Sequence, residues 1–146
     1  MAIKKSVAEG FARGELYDIV KWQDGAPYGA TFTLGANNGT SGKRKLSIQL
    51  TDYLNQPLSN MVSVLAYVSD ASGNIDAATG LTIADGGSGT LKELVTKHTL
   101  LLVTDSNGKV DIEFTQGTAG TTNVYITVVL ANNTIATTGQ IAVTKS

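Results

Sequence analysis

Residues 46–74 read LSIQLTDYLNQPLSNMVSVLAYVSDASGN, and this stretch decides the fold. Apolar side chains alternate with other residues in two segments, first at Leu46, Ile48 and Leu50 and then at Val62, Val64, Ala66 and Val68. A period of two is typical of a β-strand, because successive side chains point to opposite faces. The stretch therefore predicts two strands joined by a polar turn. The opposite face of the second strand carries Met61, Ser63, Leu65 and Tyr67.

The rest of the chain supplies further short strands, which we expect at residues 81–84, 91–95, 99–104, 110–115, 123–130 and 135–143. The Asn107-Gly108 pair predicts a β-hairpin with a type I′ turn, since Asn-Gly tolerates positive φ angles. Gly139 predicts a bulge in the last strand. Seven or eight short strands at regular spacing, with no useful helix after residue 43, predict an all-β sandwich of immunoglobulin-like type at residues 43–146.

Residues 1–42 differ from the body and are interpreted as an N-terminal arm and linker. The arm includes a short amphipathic segment at residues 2–13, a strand candidate at 16–22 and a flexible linker at 35–42. Its apolar anchors are expected to bind a partner, and they are Phe11, Leu16, Ile19, Trp22 and Phe32. The alternative is that the arm folds back on its own sandwich.

Composition limits the classes of function. The 146 residues carry a net charge of -1, 16% charged residues and no cysteine. These values give no electrostatic basis for nucleic-acid binding and exclude disulfides and thiolate metal sites. No apolar run is long enough to cross a membrane. Charged residues interrupt the N-terminus where a signal peptide would need its apolar core, so we expect a whole, unexported product that begins at Met1.

Candidate chemical groups are few, and we predict no catalytic residue, no cofactor and no metal site. His98 is the single histidine and is interpreted as a surface residue, since no second histidine or cysteine completes a nucleophile–base pair. Residues 70–76 alternate oxygen-bearing side chains, but their spacing fits a β-turn better than a calcium loop. Residues 86–89 are interpreted as a flexible loop, because the Lys-Ser/Thr of a phosphate loop is missing. Asp111 and Glu113 share a strand face and are interpreted as solvated.

Three turn-and-strand motifs resemble bacterial Ig-like domains of the invasin and intimin type. They are Gln49-Leu50-Thr51-Asp52 with Asn55-Gln56-Pro57-Leu58, the strand at residues 62–68, and residues 104–110 (TDSNGKV) leading to Phe114. The resemblance covers residues 43–146 and implies a sandwich fold; its motifs are turn chemistry, and the fold alone does not specify a function. Such domains, without a signal and preceded by an arm, are similar to accessory proteins of bacteriophage particles.

The resemblance implies a structural, non-enzymatic virion protein made in the host cytoplasm. We expect a capsid decoration protein that binds the major capsid protein or another virion protein, as a homo-oligomer and without nucleic acid or membrane. The alternative is a tail or fibre module that binds host-surface carbohydrate weakly, which would need an exposed aromatic platform at one end of the sandwich.

Overall fold

The computed structural model describes residues 25–71 and 80–146. These residues form ten strands and one 3-10 turn in the order β1 (Gly29–Leu34), β2 (Lys43–Thr51), β3 (Ser63–Ser69), β4 (Leu81–Asp85), β5 (Thr90–Val95), β6 (Thr99–Val103), β7 (Lys109–Gln116), β8 (Gly120–Val129), the 3-10 turn (Ala131–Asn133), β9 (Ile135–Thr137) and β10 (Ile141–Lys145). For this part of the chain, the prediction of an all-β fold is confirmed.

The strands form two antiparallel sheets that enclose one core. The four-stranded sheet has the order β1-β2-β7-β4, and the larger sheet has the order β10-β8-β3-β6-β5, with β9 also paired to β8. These orders match the A-B-E-D and G-F-C sheets of an immunoglobulin sandwich. The β5–β6 hairpin extends the larger sheet beside β3 and follows β4 in the chain. The protein is therefore an immunoglobulin-like β-sandwich.

The core lies between the inward faces of both sheets. Its members come from the alternating positions that the sequence indicated in β2, β3, β7 and β8, and Phe114 is its largest fully buried side chain. Fully buried partners include Leu46, Ile48, Leu50, Val68, Leu100, Leu102, Val110, Ile112, Val124, Ile126 and Val128. A core of this extent stabilises the sandwich by burial of apolar surface, at roughly 25 cal/mol per Å².

Strand β1 lies inside the sandwich, although the sequence placed it in the arm. It pairs with β2 over its whole length, from Gly29 opposite Thr51 to Leu34 opposite Leu46. The reason is that Phe32 and Leu34 are inward-facing and pack against the core. The sequence predicts that the sandwich begins at residue 43. Among the described residues it begins earlier, with β1.

The segment at residues 35–42 is fixed by hydrogen bonds, whereas its composition predicts a flexible linker. Asn37 donates its Nδ2 to the Ala142 carbonyl (3.1 Å) and accepts from the Thr144 amide (3.2 Å). Arg44 donates to the carbonyls of Gly35 (2.8 Å) and Ala142 (2.6 Å). These bonds attach the segment to β10, so that it joins the two sheets at one end of the sandwich.

Two turns of the same geometry lie side by side at the other end. In each, an aspartate Oδ1 accepts from the amides two and four residues later, at 2.9 and 2.9 Å for Asp52 and at 2.8 and 3.0 Å for Asp105. The residue three positions after each aspartate has a positive φ, 63° at Asn55 and 72° at Gly108. The Leu50 amide donates to the Gly108 carbonyl (2.9 Å) and joins the two turns.

The predicted type I′ hairpin at Asn107-Gly108 is wrong. Strand β6 pairs with β3 and β5, whereas β7 pairs with β2 and β4, so this turn passes from one sheet to the other. Of the turn residues 105–109, only Gly108 has a positive φ, while type I′ needs two. The physical reason is the Asp105 carboxylate, which binds the turn amides and stabilises a different loop.

The predicted last strand at 135–143 is interrupted at Thr138. Strands β9 and β10 pair with different halves of β8 on the same side. Thr138 lies between them, where its amide donates to the Ile126 carbonyl (2.9 Å) and its Oγ1 accepts from the Ile126 amide (3.0 Å). The side chain thus replaces a backbone acceptor, and residues 138–140, which include Gly139, belong to neither strand.

Candidate binding surface

The outer face of the four-stranded sheet is charged. Its outward positions on β2 and β7 include Lys43, Lys45, Lys109, Asp111 and Glu113. The Lys43 Nζ lies 2.9 Å from the Glu113 Oε1, and the Lys45 Nζ lies 3.7 Å from the Asp111 Oδ2. Such a face is suited to water, as expected for the solvated side of an antiparallel sheet. Residues 43–45 (KRK) lie on the inner strand β2, between β1 and β7.

The interpretation of Asp111 as a solvated residue is wrong. Asp111 is only 6% exposed, because the loop after β4 lies against it. The Gly86 amide donates to the Asp111 carbonyl (3.0 Å), and the Ser88 amide donates to the Asp111 Oδ2 (3.3 Å). A Cβ at Gly86 would lie 2.7 Å from the Asp111 Cβ, so only glycine permits this approach. Residues 86–89 are thus a packed loop and not the flexible one expected.

The outer face of the larger sheet has the opposite character. A row of side chains crosses five strands of it, and we call this the apolar row: Ile135 on β9, Val129 on β8, Leu65 on β3, Leu101 on β6 and Lys92 on β5. Register places Ile135 opposite Val129, Leu65 opposite Leu101, and Leu101 opposite Lys92. Continuing the β3–β8 register by one residue places Leu65 opposite Val129.

The apolar row is accessible to a partner. Ile135 is 55% exposed, Leu65 46% and Val129 38%, while Leu101 is half-buried. Flanking outward positions are uncharged and comprise Ser63, Tyr67, Thr90, Thr99, Val103, Tyr125, Thr127 and Thr137. Among the outward strand residues that are described on this sheet, Lys92 carries the single charge, against five on the other sheet. A contiguous exposed apolar area rimmed by polar residues is typical of a protein-binding surface.

The predicted docking residues divide into two groups. Phe32 lies on β1, faces inward and packs against the core, so it supports the fold and is not presented to a partner. Phe11, Leu16, Ile19 and Trp22 lie outside the described residues. Their role therefore stays a prediction.

Phe32 also lines a small cavity at the side of the sandwich. The cavity measures about 160 Å³ and lies between β1 and the interruption at 138–140, with Leu34, Leu46 and Ile141 as its other apolar neighbours. Pockets that bind drug-sized molecules measure roughly 300–1,000 Å³. This cavity has room for one small side chain, which makes it a poor substrate site.

No catalytic arrangement forms around the candidate chemical groups that the structure describes. His98 lies in the turn between β5 and β6, half-buried, with its Nδ1 2.6 Å from the Thr99 Oγ1. Within residues 25–71 and 80–146, no group of three metal-binding side chains comes together, and no helix could span a membrane. Most of the loop at 70–76 lies outside the described residues.

An aromatic pair lies near the Asp52 turn. The rings of Tyr28 and Tyr53 meet edge to face, with centroids 6.4 Å apart and planes at 76°. Tyr53 is 42% exposed, Leu54 beside it in the chain is 61% exposed, and Met61, in the loop before β3, is 64% exposed. This end of the sandwich thus presents an aromatic and apolar cluster that is separate from the apolar row.

The sequence reasoning missed the apolar row, although signals for it existed. Residues 100–103 read LLLV, an uninterrupted apolar run, and such runs are typical of strands that are covered on both faces. In β3, Leu65 and Tyr67 occupy the face opposite the core. An outward apolar residue on three adjacent strands indicates a second contact surface, but only sheet order shows that they are adjacent.

Comparisons with known proteins add a likeness of fold alone. No protein-family model matches the chain, and no curated protein matches it. A conjugative transposon lipoprotein from Bacteroides eggerthii DSM 20697 aligns with a TM-score of 0.45 and 7% identity, over 78% of this chain and 93% of that one. A cohesin module from the family 33 glycoside hydrolase of Clostridium perfringens ATCC13124 aligns with a TM-score of 0.44 and 9% identity, over 83% and 98%.

Proposed function

We propose that the protein is a non-enzymatic assembly protein whose sandwich carries a surface that binds a protein chain. The observation that carries this proposal is the contrast between the two outer faces, one charged and one apolar. An isolated domain that is solvated on both sides gains nothing from exposing Leu65, Val129 and Ile135. Burial of these side chains against a protein would return roughly 25 cal/mol per Å² before ordering costs.

Within that class, we propose a structural virion protein, and specifically a capsid decoration protein. Support comes from the resemblance of the turn motifs around Asp52 and Asp105 to Ig-like domains, which phage particles carry as accessory proteins. The arm residues Phe11, Leu16, Ile19 and Trp22 are proposed to contact the shell, while the sandwich projects from it. The proposed site of action is the virion.

Particle composition tests this proposal directly. Particles purified from the source would be analysed by quantitative mass spectrometry, with the copy number of this protein expressed relative to the major shell protein. A high copy number related to the shell symmetry is expected for decoration. A few copies per particle would place the protein on a tail or fibre, and absence from particles would refute the virion proposal.

A second candidate function is weak binding of host-surface carbohydrate, and the Tyr28–Tyr53 cluster favours it. Sugars stack on exposed aromatic faces, and Tyr53 is 42% exposed at one end of the sandwich. The edge-to-face geometry offers one ring and not a flat platform, which makes this the weaker candidate. Glycan-array binding by the purified protein, lost in Tyr53→Ala, would support it. No binding to any glycan would exclude it.

A further inference from the structure

We infer that the outer face of the larger sheet binds the same face of a second copy of this chain, as a twofold symmetric dimer. The inference rests on the proposed function only in treating this face as an assembly surface, and it does not depend on a virion role. It assigns a partner to the apolar row, which no other element of the described chain covers.

The charge of the face favours a second copy over a different protein. Partners of unlike sequence are commonly selected by complementary charges, and the outward strand positions described here offer one charge, on Lys92. An uncharged apolar face is complementary to itself, because apolar surface needs only apolar surface opposite. In a twofold interface the same patch serves both subunits, so this requirement is met without a second specialised surface.

The position of Lys92 is compatible with such a dimer. Leu65 lies at the middle of the apolar row, whereas Lys92 is exposed on the edge strand β5 at one end. A twofold axis that passes near Leu65 and runs parallel to the strands would place each Lys92 at the rim, opposite the far end of the partner's row. The ammonium group then stays hydrated, and the centre of the contact contains Leu65, Val129 and Leu101.

The area is sufficient for a weak or moderate dimer. With strands about 4.8 Å apart and about 3.3 Å per residue, five strands that average about six residues give a face of roughly 480 Å². Two such faces bury roughly 960 Å² in projection, and more once side-chain relief is counted, which meets the value of about 1,000 Å² expected of a specific contact. The dimer should therefore be detectable in the micromolar range.

Sedimentation equilibrium of the full chain, over a range of concentrations, tests the dimer. Wild type should dimerise, and Leu65→Lys should weaken the dimer at least tenfold, because it introduces a charge at the centre of the contact. Val129→Lys, at a 38% exposed position in the centre of the contact, serves as a second variant if Leu65→Lys fails to fold. Thr33→Lys is the matched control, since Thr33 is exposed and outward on the charged sheet, and it should dimerise like wild type.

Cross-linking locates the contact. The chain has no cysteine, so Leu65→Cys and Thr33→Cys each carry a single thiol. A short bismaleimide should link Leu65→Cys into covalent dimers and leave Thr33→Cys monomeric. A monomeric wild type at all concentrations, or equal cross-linking of both variants, would overturn the inference; a monomer would instead fit coverage of the row by residues 1–24 or by another protein.

Particle binding separates this inference from the proposed function. A Leu65→Lys monomer that still binds shells would support the dimer contact as a surface distinct from the shell contact. A wild-type dimer that is absent from particles would refute the virion role alone. A monomeric wild type that binds shells would refute the dimer alone.

Discussion

Asp105 holds its turn through two hydrogen bonds from backbone amides. Its Oδ1 accepts from the Asn107 amide at 2.8 Å and from the Lys109 amide at 3.0 Å. Asp105→Ala removes the acceptor of both bonds, and we expect the free energy of unfolding to fall by about 1–2 kcal/mol. Asp105→Asn keeps an acceptor oxygen and should lose less. Urea unfolding of both variants measures the difference.

Asp85 provides the control for Asp105. It is exposed at the end of β4, and Asp85→Ala should change the unfolding free energy by no more than about 0.5 kcal/mol. Equal losses at Asp85 and Asp105 would mean that general charge, and not the turn, determines the effect.

Gly108 and Asn55 occupy equivalent positions in the two turns but differ in their surroundings. A Cβ at Gly108 would lie 2.8 Å from both the Cβ and the carbonyl oxygen of Leu58. Gly108→Ala combines this overlap with a positive φ, so it should lower the free energy of unfolding by about 2 kcal/mol or more. Asn55→Gly places at an exposed turn a residue that adopts a positive φ without strain. Its free energy of unfolding should stay within about 0.5 kcal/mol of wild type. Thermal unfolding distinguishes them, and a harmless Gly108→Ala would contradict the packing described here.

Thr138 lies between β9 and β10, where its amide and its hydroxyl oxygen form hydrogen bonds with Ile126 of β8. Thr138→Val keeps the shape but leaves the buried Ile126 amide without its acceptor at 3.0 Å. An unsatisfied buried donor costs about 1–3 kcal/mol, so the unfolding free energy should fall by that amount. Thr138→Ser keeps the hydroxyl and should be closer to wild type. Hydrogen exchange at the Ile126 amide should accelerate in Thr138→Val alone; unchanged exchange would show that the bond is dispensable.

The sequence predicted individual strands better than their connections. Alternation located β2, β3, β7 and β8, because each has one face in the core and each side chain obeys the period of two. The Asn107-Gly108 pair predicts a hairpin, since nothing in the local sequence records that the next strand enters the other sheet. Alternation predicts a solvated Asp111, because it gives the face of a strand and not what covers it, and the cover comes from Gly86 and Ser88.

The candidate surface depends on the relation between strands, which explains why the sequence did not predict it. Leu65, Val129 and Ile135 are separated by up to 70 positions in the chain (135 minus 65) and become neighbours only through the sheet order. Phe32 shows the converse case. Its apolar character predicts a contact, and full pairing of β1 with β2 places that contact against the core of its own fold.

The limits of the sandwich determine where the chain can be shortened. Deleting residues 1–24 leaves every strand from β1 to β10 in place, and we expect a folded protein with little loss of stability. Deleting residues 1–42 removes β1, and with it Phe32 and Leu34 from the side of the core. That loss exposes Leu46 and the edge of β2, so the free energy of unfolding should fall by at least about 3 kcal/mol.

Comparison of the two truncations tests both the domain boundary and the arm. Circular dichroism melts should show the 25–146 chain near wild type and the 43–146 chain strongly destabilised. Under the proposed function, the 25–146 chain should also fail to bind shells although it is folded, because Phe11, Leu16, Ile19 and Trp22 are gone. Shell binding by a folded 25–146 chain would move the shell contact from the arm to the sandwich, and equal stability of the two truncations would refute the structural role of β1.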